Sequence, residues 1–276
     1  MVGQKKKKGG RELKQFESEI LKNRAAAESW RELVLSWDAS AGEPLPGQFL
    51  TLRVSPCSDP LLRRPFAFSS YRRADGEAPA RVSIVYQIRG DATTLLSGLA
   101  PGARVDTIAP LGRGFPEPAA GETAVLAGGG IGLGPLLFLS EHLGAAGRKS
   151  ILVLGMRSAS LLPSIALPSG TVICTDDGSS GFAGTPVDYI KREFGGAGEG
   201  SLRLYGCGPL PMLAALADLA AKRGWVASLS AEQWMACGVG ACMGCALPRA
   251  DGHGYLRACT DGPVFDAAAI DWSGGR

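Results

Sequence analysis

Between Gln15 and Pro118 the apolar positions come in short runs, such as Phe49–Val54 (FLTLRV) and Arg81–Ile88 (RVSIVYQI). Pro/Gly-rich turns, including Glu43–Gly47 (EPLPG) and Pro101–Gly102, interrupt them. Short strands at close spacing predict an antiparallel β-barrel over residues 15–118. From Gly121 the rhythm changes. Thr123–Ala127, Ser150–Gly155, Thr171–Cys174, Ser201–Tyr205 and Trp225–Leu229 are compact apolar runs of the kind buried in parallel sheets. Helical patterns at Pro135–Ala146, Pro186–Phe194 and Leu210–Arg223 alternate with them, and in the last Met212, Leu213, Leu216 and Leu219 recur at core-forming spacing. The alternation predicts a doubly wound α/β domain over 119–229. Residues 230–276 form a third block, too short for a large core of its own. The fold class expected is therefore multi-domain, a β-barrel plus an α/β domain and a small C-terminal segment.

Composition narrows the function classes. The 276 residues are 45% hydrophobic and 20% charged, which excludes disorder as the main state. No run of 18 apolar residues occurs, so no membrane span is expected. The net charge of +3 is concentrated at one end: residues 1–14 sum to +5 and the remainder to −2. Residues 1–14 are expected to be a disordered basic tail, since neither an apolar signal-peptide core nor a basic patch with interleaved aromatics follows. The expected location is the cytoplasm, with neither nucleic acid nor membrane as partner.

Seven cysteines are present, and four lie within 23 residues as Cys237-x4-Cys242-x2-Cys245, then thirteen residues, then Cys259. Such clustering points to a metal rather than a disulfide framework. The spacing is that of a plant-type 2Fe–2S centre, whose two irons need four thiolates. Gly238, Gly240 and Gly244 would keep side chains clear of the cluster and admit φ > 0. Structural zinc is the alternative, although zinc favours two similar knuckles.

Two glycine-rich strand-to-helix turns follow the same logic as each other. Gly128-Gly129-Gly130-Ile131-Gly132-Leu133-Gly134-Pro135 follows one apolar run, and Gly206-Cys207-Gly208-Pro209 follows another. Turns of this type let a pyrophosphate approach backbone amides at a helix N-terminus, although neither matches G-x-G-x-x-G and tight packing is the alternative. Between them Thr175-Asp176-Asp177-Gly178-Ser179 places carboxylates where a ribose could donate, or simply caps a helix. In the barrel block, Arg63-Arg64-Pro65-Phe66-Ala67 could hold a phosphate beside a flat ring, or be a surface arginine next to core.

Together these residues resemble the ferredoxin-reductase-like flavoproteins, and within them the electron-transfer subunits of class 1B dihydroorotate dehydrogenases. The resemblance runs from about residue 15 to 266. It implies FAD at Arg64, Pro65, Phe66, Ala67, Val85, Tyr86, Gln87, Ala92 and Thr93. It implies NAD at Gly129, Gly130, Ile131, Gly132, Asp176, Asp177, Cys207, Gly208 and Pro209, and a 2Fe–2S cluster on Cys237, Cys242, Cys245 and Cys259. Ala67 stands where the family often carries a hydroxyl, and Ala92 where it often carries glycine. The resemblance also implies a partner, an FMN-containing dihydroorotate dehydrogenase catalytic subunit, in a heterotetramer of two of each. The barrel and α/β domains leave no room for the roughly 250-residue β/α barrel that would oxidise dihydroorotate. Alternatives are a ferredoxin–NAD(P)⁺ oxidoreductase or sulfide-dehydrogenase-like subunit, or a zinc-bound nucleotide-sensing regulator. Cys57 and Cys174 are expected to be buried small hydrophobes, and His142 and His253 structural or solvated. Cys207 either faces the nicotinamide or packs. Met235, Val239 and Met243 either dock the partner or pack inward.

Overall fold

The computed structural model describes residues 13–194 and 201–274. Its first domain comprises β1 (Lys14–Ala25), β2 (Trp30–Ser36), β3 (Phe49–Arg53), β4 (Arg64–Ala67), β5 (Ser70–Arg72), β6 (Arg81–Gln87), helix α1 (Asp91–Gly98) and β7 (Arg104–Leu111). The strands form one antiparallel sheet in the order β4-β3-β7-β1-β2-β6-β5. Strand β1 turns the corner: Lys14–Glu19 pair with β7 and Ile20–Ala25 with β2, with a register shift between Ile20 and Lys22. A bulge there bends and twists the strand, curling the sheet. At the opposite corner the edge strands β4 and β5 are joined by Phe68 and Ser69. The Phe68 N–H donates to the Gln48 carbonyl and the Ser69 N–H to the Ser83 carbonyl (3.4 and 2.8 Å). The predicted barrel is thus a curled sheet whose seam is crossed by the chain itself. Alternate residues such as Leu33, Leu35, Leu50, Leu52, Val82 and Ile84 fill its interior.

The second domain comprises β8 (Thr123–Gly129), α2 (Leu133–Ala145), β9 (Ser150–Met156), β10 (Val172–Thr175), β11 (Phe182–Ala183), α3 (Pro186–Glu193), β12 (Leu202–Cys207), α4 (Leu210–Arg223) and β13 (Val226–Ser230). Its strands are parallel in the order β11-β10-β9-β8-β12-β13. Period-2 alternation sorts the two faces. Ala124, Leu126, Leu152 and Leu154 meet α2 through Leu136, Leu139 and Leu143. Val125, Ala127, Val153 and Leu204 meet α3 and α4 through Ile190, Leu213 and Leu216. Helix α2 also reaches the first domain, where Phe138 enters the barrel core and Glu141 pairs with Arg72.

The last segment contains β14 (Ala246–Pro248), β15 (Tyr255–Arg257) and β16 (Val264–Asp266). β14 and β15 form a hairpin, and β16 adds antiparallel to β13. That addition covers the exposed ladder of the sheet edge. The segment solves its shortage of core by sharing one: Cys245, Leu247, Cys259, Phe265, Ile270 and Trp272 belong to the same buried cluster as Leu213, Leu216 and Leu219 of α4. It also grips the barrel, with the Arg113 N–H donating to the Gly262 carbonyl at 2.6 Å. Of the expected basic tail, residues 1–12 lie outside the described residues, and Lys14 opens β1. Among the described residues no helix is long and apolar enough to cross a membrane.

Candidate functional site

The α/β sheet reverses its strand order between β8 and β12, and both glycine-rich turns leave the sheet there. Crevices at such switch points are where doubly wound sheets bind ligands. The glycines first allow the turns to touch each other. A Cβ at Gly132 would land on the Cys207 carbonyl, and one at Gly208 would lie 2.6 Å from Met212 Cε and 3.0 Å from Gly129 Cα. Gly130, at φ +53, has open space at its Cβ position instead.

Beside it a cavity of about 860 Å³ is lined by Gly129, Gly130, Arg157, Asp176, Pro209 and Met212 of the α/β domain, and by Gln87 and Arg89 from the barrel. Asp176 lines this cavity, but Asp177 is not on its wall. Its carboxylate accepts from the Ser179 hydroxyl (2.6 Å) and N–H (3.0 Å), bonds that hold its pKa low. Arg157 also lines this cavity, and sequence reasoning passed over it.

A second cavity of about 260 Å³ lies where all three parts of the chain meet. Pro65, Phe66 and Ala67 of β4, Val85, Tyr86 and Gln87 of β6, and Thr93 of α1 form its barrel side. Phe66 and Tyr86 pack edge to face at 5.7 Å. Thr93 Oγ1 accepts the N–H groups of Arg89 and Gly90 (2.9 and 3.1 Å), which shapes the start of α1. Ile131, Pro135 and Cys207 come from the α/β domain, and Ser230, Glu232, Met235 and Pro263 from the final segment and its approach. Two residues expected to bind FAD do not line this cavity. Ala92 is 4% exposed in the barrel core, and the Arg64 guanidinium lies outside the cavity wall, donating to the Leu62 carbonyl at 2.7 Å. Arg89 is the arginine that reaches both cavities, with Nε and Nη2 held on Gln87 Oε1 (3.0 and 2.7 Å). Its place two residues after the Val85-Tyr86-Gln87 strand was the available signal. Cys207 belongs to this cavity, and burial pushes its thiol up to about 12, with Ser230 pulling down and the Glu232 carboxylate adding to the rise.

The four clustered cysteines form two pairs. Cys245 and Cys259 have sulfurs 3.2 Å apart and are buried, whereas Cys237 and Cys242 sit on the outer loop. Backbone amides already face the sulfurs: Ala241 N–H to Cys237 (3.3 Å), Gly244 N–H to Cys242 (3.5 Å) and Cys259 N–H to Cys245 (3.4 Å). At Cys237 burial raises the thiol pKa, but donors from Val239, Cys242 and Ala241 outweigh it and bring it to about 6. At Cys259 burial and the neighbouring Cys245 push it up to about 12. Among the described residues no three His, Cys, Asp or Glu side chains converge as a single ion needs. Two thiol pairs with amides facing the sulfurs fit a binuclear cluster better than one tetrahedral zinc. Gly238 and Gly240 do take positive φ (70° and 84°), but Gly244 does not; Met243, at φ 60°, takes that conformation beside it.

Around this loop Val239 and Met243 are 38% and 50% exposed, while Met235 lines the smaller cavity. Trp234, which sequence reasoning passed over, is 91% exposed. Cys174 is buried as expected, but Cys57 is exposed. His142 meets Glu117 at 3.3 Å, and His253 lies in an exposed turn.

Residues 232–271 match the model of the iron–sulfur cluster binding domain of dihydroorotate dehydrogenase B. The chain is 40% identical over 258 residues to the dihydroorotate dehydrogenase B (NAD⁺) electron transfer subunit of Geobacillus thermodenitrificans, covering 91% of this chain and 96% of that one. The chain belongs to this family of electron transfer subunits. The subunit of Bacillus caldolyticus is 39% identical over the same shares. Among solved structures, an NADH-dependent reduced ferredoxin-NADP oxidoreductase aligns with this electron transfer subunit at a TM-score of 0.78 and 25% identity, over 93% of this chain and 90% of that one. Phthalate dioxygenase reductase shares the fold at a TM-score of 0.55 and 21% identity, over 75% and 64%.

Proposed function

We propose that this chain carries electrons from the FMN of a separate dihydroorotate dehydrogenase catalytic subunit, through a 2Fe–2S cluster and FAD, to NAD⁺, as a step of pyrimidine biosynthesis in the cytoplasm. A flavin accepts electrons singly and delivers a hydride, so it joins one-electron and two-electron carriers. The observation that carries the reading is the smaller cavity, built jointly by the barrel, the switch-point turn and the residues that lead into the cysteine loop. Pro65–Ala67 and Val85–Gln87 offer a largely apolar wall for the flavin ring, and Thr93 braces the Arg89–Gly90 turn at the entry to α1, beside which its phosphates would lie. The larger cavity abuts it through Gln87 and Arg89, and there Gly129 and Gly130 admit a pyrophosphate while Asp176 accepts from a ribose. Arg89, shared by both walls, is placed to meet phosphate of either nucleotide.

Cys237, Cys242, Cys245 and Cys259 would hold the cluster, two thiols to each iron. The face bearing Trp234, Val239 and Met243 is the docking surface for the catalytic subunit, and we take two of each chain as the assembly. An aromatic anchor in an apolar patch beside the outer cysteines suits a contact across which electrons pass. The test is reconstitution. The purified chain should contain two irons, two acid-labile sulfides and one FAD. It should reduce artificial acceptors with NADH, and should couple dihydroorotate oxidation to NAD⁺ only when mixed with the catalytic subunit. Dihydroorotate oxidation by the isolated chain, or a mixture that fails to couple, refutes the proposal.

A further inference from the structure

Beyond the cysteines, two threonines pack against the same loop. In β3, Leu50 and Leu52 point into the barrel core, whereas Phe49 belongs to the core shared with the final segment. Thr51 lies on the Phe49 side of this alternation. It is 2% exposed, and Gly238 packs on it: a Cβ there would be 3.1 Å from Thr51 Cγ2. Thr260 follows Cys259, and a Cβ at Gly240 would be 2.8 Å from its Cγ2 and 3.5 Å from its Oγ1. Both Thr51 Oγ1 and Thr260 Oγ1 are buried with no hydrogen-bond partner on the protein. Among the described residues only two other side-chain atoms share that condition, Trp30 Nε1 and Arg203 Nε. Burying a hydroxyl without an acceptor is costly. Two such hydroxyls, on threonines whose methyls pack against Gly238 and Gly240 of one cysteine loop, point to acceptors there that the protein itself does not supply.

We propose that Thr51 and Thr260 donate hydrogen bonds to the sulfurs of the cluster site and thereby raise its reduction potential. The inference rests on the 2Fe–2S reading above. On one-electron reduction one iron passes from ferric to ferrous and the sulfurs gain negative charge, while each hydroxyl keeps its proton. An O–H···S bond therefore strengthens in the reduced state and favours it.

The experiment uses the full-length holoprotein and the variants Thr51→Val, Thr51→Ser and Thr260→Val. Iron and sulfide are measured first; the reduced cluster is then titrated anaerobically by its electron paramagnetic resonance signal. Each valine is expected to lower the equilibrium constant for reduction about tenfold, roughly 59 mV for one electron. Thr51→Ser keeps the donor and is expected to stay at the wild-type midpoint. Full iron and sulfide with unchanged midpoints in the valine variants overturns the donor assignment, as does a water in the place of the sulfur acceptor. A variant that sheds its cluster leaves the other valine to decide by the same criterion. Absence of iron and sulfide from the wild-type chain instead overturns the cluster reading.

Discussion

Trp234→Ala should separate docking from internal electron transfer. The indole is 91% exposed and contributes to neither cavity, so the free chain has little to lose by its removal. A tryptophan buries about 150–250 Å² when covered. At about 25 cal/mol per Å² this sets an upper bound near ~4–6 kcal/mol. Side-chain ordering and imperfect packing in interfaces reduce the expected loss to about 2–4 kcal/mol, the range of a central aromatic anchor. The dissociation constant for the catalytic subunit should therefore rise by roughly 30- to 1000-fold. Calorimetric titration of the holoprotein into the catalytic subunit measures it directly. NADH-dependent reduction of an artificial acceptor, and the FAD and iron contents, should match wild type in the same preparations. An affinity within twofold of wild type would show that the partner does not cover this face.

Other variants probe the interior. Gly132→Ala should drive a methyl into the Cys207 carbonyl, spread the two switch-point turns and depress flavin reduction by NADH, whereas Gly144→Ala, at a helical site with open space, should raise stability by roughly 0.5–1 kcal/mol; thermal melts and stopped-flow bleaching report each. Asp176→Ala should narrow the preference for NADH over NADPH by removing a like charge from the cavity wall, while Asp177→Ala should chiefly loosen the turn it braces. Equal discrimination in wild type and Asp176→Ala would show that the ribose lies elsewhere. Cys174, Cys207 and Tyr205 have pKa values pushed up, to about 11, 12 and 12, so the folded state keeps protons that the unfolded state releases first. Stability should accordingly be full below about pH 9 and fall as pH rises from there toward 12. Denaturant melts across that window check the sign, and Cys207→Ala should reduce the slope.

Local pattern carried most of the architecture. The change from closely spaced strands to strand–helix alternation near residue 120 is a property of adjacent residues, and in the structure the antiparallel sheet ends with β7 at Leu111 and the parallel sheet begins with β8 at Thr123. The four cysteines were legible because ligand spacing along a short loop is itself a covalent constraint. The switch-point turns were legible because glycine is required wherever backbones approach as closely as Gly132 and Cys207 do.

What the sequence could not determine was which of two adjacent side chains faces a site. Arg63 and Arg64 look interchangeable in the chain. Arg63 is drawn onto Asp106, 43 residues away, and Arg64 donates to the Leu62 carbonyl, while Arg89, just past the end of β6, lines the cavity. Asp176 and Asp177 differ in the same way, one on a cavity wall and one bent back onto Ser179. The final segment, coreless on its own count of apolar residues, acquired a core only by joining α4 and extending the sheet through β16. The sequence alone thus determined the order of elements and the cysteine and glycine motifs, because those depend on neighbours along the chain. Tertiary structure decided side-chain direction, shared burial and the meeting of three segments at one cavity, because strand register and loop curvature are set by contacts between residues far apart in sequence.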